Sequence, residues 1–404
     1  MSQQWLYPIF RVYGYRPTRF ETDEHCLRLH IEPQPHKVCC SQCGSREVIR
    51  RGEQVRGLRN LPVGGIVSWL FIKIPRVECR SCGVVRQIRL GLAEERRSYT
   101  SAFARYVLEL SQLMTIKDVA EHLAVSWDIV KDIQKSHLAQ HYAKPTLKDV
   151  RQIAIDEICV GRGYRFVTIV LDLDSGAILF VGQGKKAESL RPFWRRLRSS
   201  QARVAAVAID LSPAYQKAVR KHLPQATVVF DRFHVVKLLN QKLTQLRRQL
   251  YRQATNDLKK KVLKGTRWLL LKNPENLDPV KGEPGRLRAA LRLNESLATA
   301  YYLKEDLRQI WEQPDKRTAR GKLLDWYHQA MSSGIRVLHD FARTLLKHAQ
   351  GILAWYDYPI STGPLEGTNN KIKTLNRQHY GLRDADFFRL KLYQLHETKY
   401  ALVG

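Results

Sequence analysis

No stretch of this chain approaches the ~18–20 consecutive apolar residues that a membrane-spanning helix needs. The opening segment, MSQQWLYPIF, lacks the basic-then-apolar plan of a secretory signal. The expectation is therefore a protein without membrane association, in a reducing cytoplasm, where cysteines serve as ligands more often than as disulfides. Internal repeats and low-complexity tracts are also missing, which argues against a solenoid. The apolar fraction, 44%, argues against disorder. Acidic residues are scarce: 38 Asp and Glu stand against 68 Lys and Arg, a net charge of +30 over 404 residues. That excess goes beyond what solubility requires and points to a polyanionic partner, with nucleic acid the leading case.

At 404 residues the chain is long enough for several domains. Five of the seven cysteines fall within residues 36–92, among short β-type runs such as IVSWLFIKI. Residues 1–30 are mixed and aromatic and suggest no element. Residues 98–140 turn helical, and AKPTLKDV reads as a linker because Lys144-Pro145 disfavours a continuing helix. From 151 the pattern runs strand, strand, strand, helix, strand, helix, strand, with an Asp174-Ser175-Gly176 turn closing a hairpin. By pattern alone this supports an α/β domain. Helical spacing dominates from about 235 to 355. Within it, Lys237 to Lys272 carries eleven basic residues and a single acid, Asp257. The expected boundaries are 1–95 for an N-terminal segment with a metal ribbon, 96–145 for a helical pair, 150–236 and 356–404 for two parts of the α/β domain, and 237–355 for a basic helical insertion.

Cys40-x-x-Cys43-Gly44 and Cys79-x-x-Cys82-Gly83 are two CxxCG knuckles. Each brings two thiolates to one ion, and the glycine permits the tight turn. Four thiolates complete a tetrahedral, structural Zn²⁺ site with no open position for catalysis. Cys39, Cys26 and His36 are weaker ligand candidates. Cys159, inside an apolar strand, is expected simply to pack.

TIKDVAEHLAVSWDIVKDIQKSHL reads as a helix-turn-helix. Thr115 caps the first helix with Asp118 at its third position, and Ser126 caps the second. Ile116, Val119, Leu123, Val130 and Ile133 form the shared core, with small Ala120 at the crossing and Val125 in the turn. Ser126, Trp127, Asp128, Lys131 and Lys135 are left for an outward face of the kind that meets a major groove. An ordinary helical pair is the competing reading.

Asp156 in QIAIDEICV and Asp210 at the end of VAAVAID are carboxylates delivered by apolar, β-branched runs. Glu366 in STGPLEGTNNKIK opens a basic helix. Two strand carboxylates and one from a helix suit two-metal phosphoryl transfer. Rivals exist. Glu157 should point to the opposite face of its strand, Asp172 and Asp174 flank a turn, and Asp231 follows ATVVF three residues before His234. Glu366 has a plain alternative as a capping acid three places after Gly363. Its functional case is the stripe it shares with Asn370, Lys373 and Arg377.

Taken together, CCSQCGS…VECRSCG, the helical 98–140 segment, AIDEI, VAAVAIDLSPAY, ATVVFDRFHVVKLLN and STGPLEGTNNKIKTLNR closely resemble bacterial insertion-sequence transposases of the ISL-three family, within the DDE group. The resemblance covers nearly the whole chain. It implies a ribonuclease-H-like mixed sheet interrupted by an all-α insertion, with an N-terminal zinc ribbon and helix-turn-helix. It implies Asp156, Asp210 and Glu366 as ligands of two Mg²⁺ (or Mn²⁺) ions, with Asp156 bridging, and a role for His234 in a D-x-x-H signature that makes Asp231 the main rival of Asp210. Asp210 is preferred on strand order. The implied activity is cleavage and transfer of double-stranded DNA at transposon ends, by a homodimer or larger synaptic complex in the bacterial cytoplasm. A binding-only regulator and a ribonuclease-H-like nuclease or resolvase are the alternatives.

Overall fold

The computed structural model describes residues 6–161, 165–254, 262–378 and 384–397. The chain divides into two units, Met1–His141 and Tyr142–Gly404.

In the first unit, β1 (Tyr15–Thr22) and β2 (Cys26–Pro33) pair antiparallel. β4 (Ile66–Cys79) lies parallel to β2 and antiparallel to β3 (Val48–Val63), and β5 (Val85–Gln87) adds to the far end of β4. Alternation explains the sheet: Leu29 and Ile31 on β2 and Leu70, Ile72 and Ile74 on β4 are buried at every second position. Two expectations need correction. Residues 1–30, for which the sequence suggested no element, contain β1 and the first five residues of β2. The "short" cysteine-flanking runs are strands of 16 and 14 residues. β1 exposes most of its length, so its identity comes from pairing with β2 and not from an apolar pattern of its own.

Three helices follow in the same unit: α2 (Ser101–Leu110), α3 (Ile116–His122) and α4 (Trp127–Tyr142), after a short α1 (Leu6–Phe10) at the start of the chain. The Thr115–Asp118 capping box forms in both directions. Ile116, Val119, Leu123, Val130 and Ile133 are all buried. Arg59, on β3 and only 3% exposed, ties sheet to helices. Its guanidinium donates to the Ser68 carbonyl at 3.1 Å and to the Leu123 carbonyl, at the end of α3, at 2.8 Å. It also lies 5.5 Å from the centre of the Phe103 ring on α2. Arg59→Ala strands two buried carbonyls and empties the space between them. Urea denaturation should show a loss on the order of 2–4 kcal/mol.

The second unit is built on a five-stranded sheet in the order β10-β9-β6-β7-β8. β6 (Gln152–Gly161), β7 (Arg165–Asp172) and β8 (Ile178–Gln183) form an antiparallel meander. The chain then crosses through α5 (Arg191–Ser199) to β9 (Ala206–Ile209), parallel to β6, and through α6 (Pro213–His222) to β10 (Thr227–Phe230), parallel to β9. Three antiparallel strands followed by two parallel ones, in this order, make the ribonuclease-H-like mixed sheet. The predicted turn is present, with the Asp172 carboxylate accepting the Ser175 N–H and Gly176 at φ +73°.

Between β10 and the C-terminal helices lies an all-α insertion: α7 (Arg232–Gln253), α8 (Arg267–Leu271), α9 (Glu283–Arg292), α10 (Glu295–Arg308), α11 (Lys316–Ser332), α12 (Arg336–Lys347) and α13 (Ala349–Leu353). α14 (Gly363–Gln378) and α15 (Ala385–Gln394) return to the sheet. On α7, Val235, Leu239, Leu243 and Leu246 are buried at three- and four-residue intervals. The basic 237–272 stretch is not wholly a solvated face. Arg247 donates to the Leu263 carbonyl at 2.9 Å and Lys272 pairs with Glu283 at 2.7 Å. Asp257 and its neighbours 255–261 lie outside the described residues.

The strands bury different residues on their two faces. Ile153, Ile155, Val207, Ile209 and Phe230 belong to a core shared with α5, α6 and the insertion. Ala154, Ile158, Ala206, Ala208 and Val229 belong to a core completed by Leu365, Ile372 and Leu375 of α14 and by α15. This period of two decides where each acid points.

Candidate active site and metal centres

Asp156 follows Ile155 and precedes Ile158 on β6, so it falls on the α14 face with Ala154 and Ile158. The β6–β9 register pairs Gln152 with Ala206, Ile153 with Val207 and Ala154 with Ala208. Continued by two residues, it sets Asp210, the first residue beyond β9, beside Asp156 and on the same face. The Asp210 carboxylate accepts the Ser212 N–H at 2.9 Å, which holds it at the head of α6. Both acids thus sit at the carboxyl ends of adjacent parallel segments. Glu157 points the other way, as expected, and its carboxyl meets the Tyr215 hydroxyl on α6.

Asp231 is level with Asp210 in the next strand, since Phe230 pairs with Ile209. Its carboxylate is already engaged. One oxygen accepts the Phe233 N–H and caps α7. The other accepts both the Thr362 N–H and the Thr362 hydroxyl, the latter at 2.7 Å. Asp231 is 3% exposed. It works as a staple from the end of β10 to the residue from which α14 starts. Asp231→Asn turns an N–H donor toward donors, and melting of the full chain should report a loss of about 2–4 kcal/mol. The same change at Asp210, which carries no such staple, should cost far less.

α14 starts from Thr362, whose carbonyl accepts the Glu366 N–H at 3.1 Å. Glu366 is therefore the fourth helical residue, one place beyond the capping-box position that its plain alternative requires. Leu365, Ile372 and Leu375 face the sheet. Asn369 donates its amide N–H to Asp156 at 3.1 Å, and Asn376 donates to the Val160 carbonyl at 2.8 Å. Glu366 lies one turn before Asn369 and shares its edge of the helix. Asn370, Lys373 and Arg377, with Glu366, form an exposed stripe next to this edge. Asn369 was missed by sequence reasoning. Its only signal was its i+3 spacing from Glu366, and the neighbouring Asn370 carried an equally good case at i+4.

Burial pushes the Asp156 carboxyl above its ordinary value, and the Asp210 charge adds to this. The Glu157 backbone N–H, His234 and Asn369 act in the opposite direction. His234, near the start of α7, is thus close enough to act on Asp156. Burial also raises Glu157, with Asp210 and Asp156 adding to it. The Tyr215 hydroxyl is raised by burial and by Glu157, and so stays protonated. Asp156, partly desolvated and set beside Asp210, is a carboxylate whose charge a hard divalent cation would relieve, and the two acids form a donor set for one. Asn369 Oδ1, buried and without a hydrogen-bond partner among the described residues, adds an acceptor to that set.

The cysteine centre is of a different kind. Cys40 and Cys82 sulfurs lie 3.6 Å apart and those of Cys43 and Cys79 3.5 Å apart. All four fall within 4.8 Å of one another, the only such group of three or more candidate ligands among the described residues. The carboxylates of Asp156, Asp210 and Glu366 are not drawn together so tightly. Sulfurs at ~2.3 Å from one tetrahedral Zn²⁺ are roughly 3.8 Å apart, so the cysteines fit that ion. Each knuckle closes through a glycine in the left-handed region, Gly44 at φ +77° and Gly83 at φ +69°. Their N–H groups bond the Cys40 and Cys79 carbonyls at 3.0 and 2.9 Å. The Cys43 and Gln42 backbone N–H groups hold the Cys40 thiol below its ordinary value, favouring thiolate. Cys26 and Cys39 stand outside the group, as does His36. Cys159 does not pack in a core, as had been expected, but is exposed near the end of β6.

On the helix-turn-helix, Ser126 caps α4 through the Ile129 N–H at 3.4 Å. Trp127 is 46% exposed, with the Lys131 ammonium 5.1 Å from its ring centre. Lys135 is half-buried two helical turns on from Asp128. On the ribbon, Arg46, Arg50, Arg51, Arg76, Arg80 and Arg86 are all exposed.

Residues 153–392 match an ISL3-type DDE family model described as transposase. Residues 88–138 match the helix-turn-helix domain of transposase family ISL3, and residues 36–82 the zinc-finger of transposase IS204/IS1001/IS1096/IS1165. Over 385 residues the chain is 33% identical to the transposase for insertion sequence element IS1001 of Bordetella parapertussis, covering 94% of each. It is 27% identical over 369 residues to the transposase for insertion sequence element IS1557 of Mycobacterium tuberculosis, covering 85% of this chain and 82% of that one. Among solved structures, the Drosophila P element transposase strand transfer complex aligns at a TM-score of 0.40 and 12% identity, covering 76% of this chain and 94% of that chain.

Proposed function

The chain belongs to the ISL3 family of insertion-sequence transposases, and from that premise we propose that it binds the terminal inverted repeats of its element and catalyses Mg²⁺-dependent cleavage and transfer of DNA strands. The observation that carries this reading is the β6–β9 register. It sets Asp156 beside Asp210 on the one face of the sheet over which the Glu366 helix is laid.

Asp156, flanked by Asp210 on one side and α14 on the other, would bridge two ions, with Asp210 and Glu366 each completing one site. When bound there, Mg²⁺ or Mn²⁺ supplies Lewis acidity to a water or 3′-hydroxyl nucleophile and to the leaving oxygen. Asp231 holds α14 at the sheet through Thr362. His234, whose charge acts on Asp156, would steady a phosphate or the acids themselves. The buried Tyr215 hydroxyl takes no nucleophilic part. The exposed stripe of Asn370, Lys373 and Arg377 lies beside Glu366, where a DNA backbone would pass. Trp127, Lys131 and Lys135 of α4, with Ser126 at its start, would enter a groove of the end sequence. The exposed arginines of the zinc ribbon would add phosphate contacts. Two ends must be paired, so the working form would be a homodimer or larger.

The test is incubation of the full chain with a duplex carrying the element's end, a target duplex and Mg²⁺. Cleaved ends joined to target are expected. Cleavage that never proceeds to joining would leave a nuclease, and DNA binding with neither would leave a regulator.

A further inference from the structure

Resting on the two-metal reading above, we propose that Asn369 is a positioning residue of the carboxylate centre: its N–H holds Asp156, and its carbonyl oxygen takes a hydrogen bond from a water of the bound cation. Asn369 Nδ2 lies 3.1 Å from Asp156 Oδ2. A carboxylate only accepts, so the amide nitrogen must face it and the carbonyl must face away. That Oδ1 is buried and has no partner among the described residues. A buried acceptor left open in this way asks for a water or an ion.

Its location says which. Asn369 stands one turn after Glu366 on α14 and donates to Asp156 on β6, so it shares a helix edge with one of the three acids and touches another. Packing alone does not account for the residue. Asparagine is a poor helix former in mid-helix, and the flanking Leu365 and Ile372 already fill the apolar contact. Mg²⁺ keeps several of its waters when bound by a few carboxylates. A water on an ion at Asp156 would be a donor next to an acceptor that has none. The two halves of one amide would then fix both the ligand and the water opposite it.

Mn²⁺ binding to the full chain, with the cysteine site saturated by Zn²⁺, can be read by electron paramagnetic resonance of the free ion. Asn369→Ala should bind Mn²⁺ about 10–100-fold more weakly than wild type. Its metal-free melting temperature should change little, because the helix preference of alanine and removal of the orphan acceptor offset the lost bond to Asp156. Wild-type Mn²⁺ affinity in Asn369→Ala, where Asp156→Asn shows the loss, overturns this inference alone. Wild-type affinity in Asp156→Asn as well overturns the two-metal reading beneath it. A clear fall in the metal-free melting temperature of Asn369→Ala would mark a structural contact, and also overturns the proposal.

Discussion

Asp156→Asn should lower cleavage of an end-containing duplex by at least about 10³-fold, with zinc content unchanged and the fold intact. The magnitude follows from the role proposed for Asp156 as a ligand of the divalent ions. Losing that ligand would remove several kcal/mol of transition-state charge stabilisation, and each ~1.4 kcal/mol is tenfold in rate. The stability consequence runs the other way. The folded carboxyl titrates above its ordinary value of 3.8 because burial and Asp210 disfavour its charged form. Its destabilising contribution is therefore absent below pH 3.8 and grows as pH rises through the higher folded value. At neutral pH, metal-free Asp156→Asn should melt no lower than wild type, and calorimetry with and without Mg²⁺ would show it. Cleavage that survives the substitution would sink the proposed mechanism. A site whose activity and stability move in opposite directions is what a desolvated carboxylate centre predicts.

The second large effect is loss of zinc. Cys40→Ser or Cys79→Ser should release the ion, unfold the ribbon and abolish specific binding of the end duplex. Fluorescence anisotropy and metal analysis would read both. The distal half of this sheet has little else to hold it. On β3, residues 50–55 are all exposed, and β5 is exposed at each of its three positions. Apart from Cys40 and Cys79, burial there rests on Val77 and a few neighbours. Structural zinc sites contribute on the order of 10 kcal/mol to folding, more than so small an apolar cluster supplies. The α2–α4 helices, anchored through Arg59 to the better-buried proximal half, should persist. Circular dichroism that keeps its helical signal while end binding is lost would bear out this division. Full end binding by a zinc-free chain would refute it.

Much of this was legible along the chain, for a consistent reason. The five core residues of the helix-turn-helix, the Thr115–Asp118 box, the two CxxCG knuckles and the Asp-Ser-Gly turn are local. Their partners lie within a few residues, so spacing specifies geometry. The succession of strands and helices from 151 was legible for a similar reason, since each there announces itself by period, whereas the ribonuclease-H-like sheet came only from the family resemblance. β1 escaped because it is mostly exposed and exists only by pairing with β2. Cys159 was misjudged because an apolar run does not reveal where, along a strand, the covering layer ends.

The acids divide along the same line. The sequence by itself determined that Asp156 lies within and Asp210 at the end of a β-type run, that a basic helix carries Glu366, and that four cysteines have the spacing to share an ion. Only the tertiary structure decided which carboxylates are already engaged by other parts of the chain. Asp231, like Asp210, follows a β-type run and rivalled it on the sequence, yet Thr362, distant in sequence, occupies one of its oxygens. The sequence singled out Asn370 and passed over Asn369, yet the rotation of α14 against β6 turned Asn369 to Asp156 and left Asn370 exposed. Local rules place a side chain on an element, whereas its partner is chosen when distant elements close over it, a long-range event that neighbouring residues do not encode.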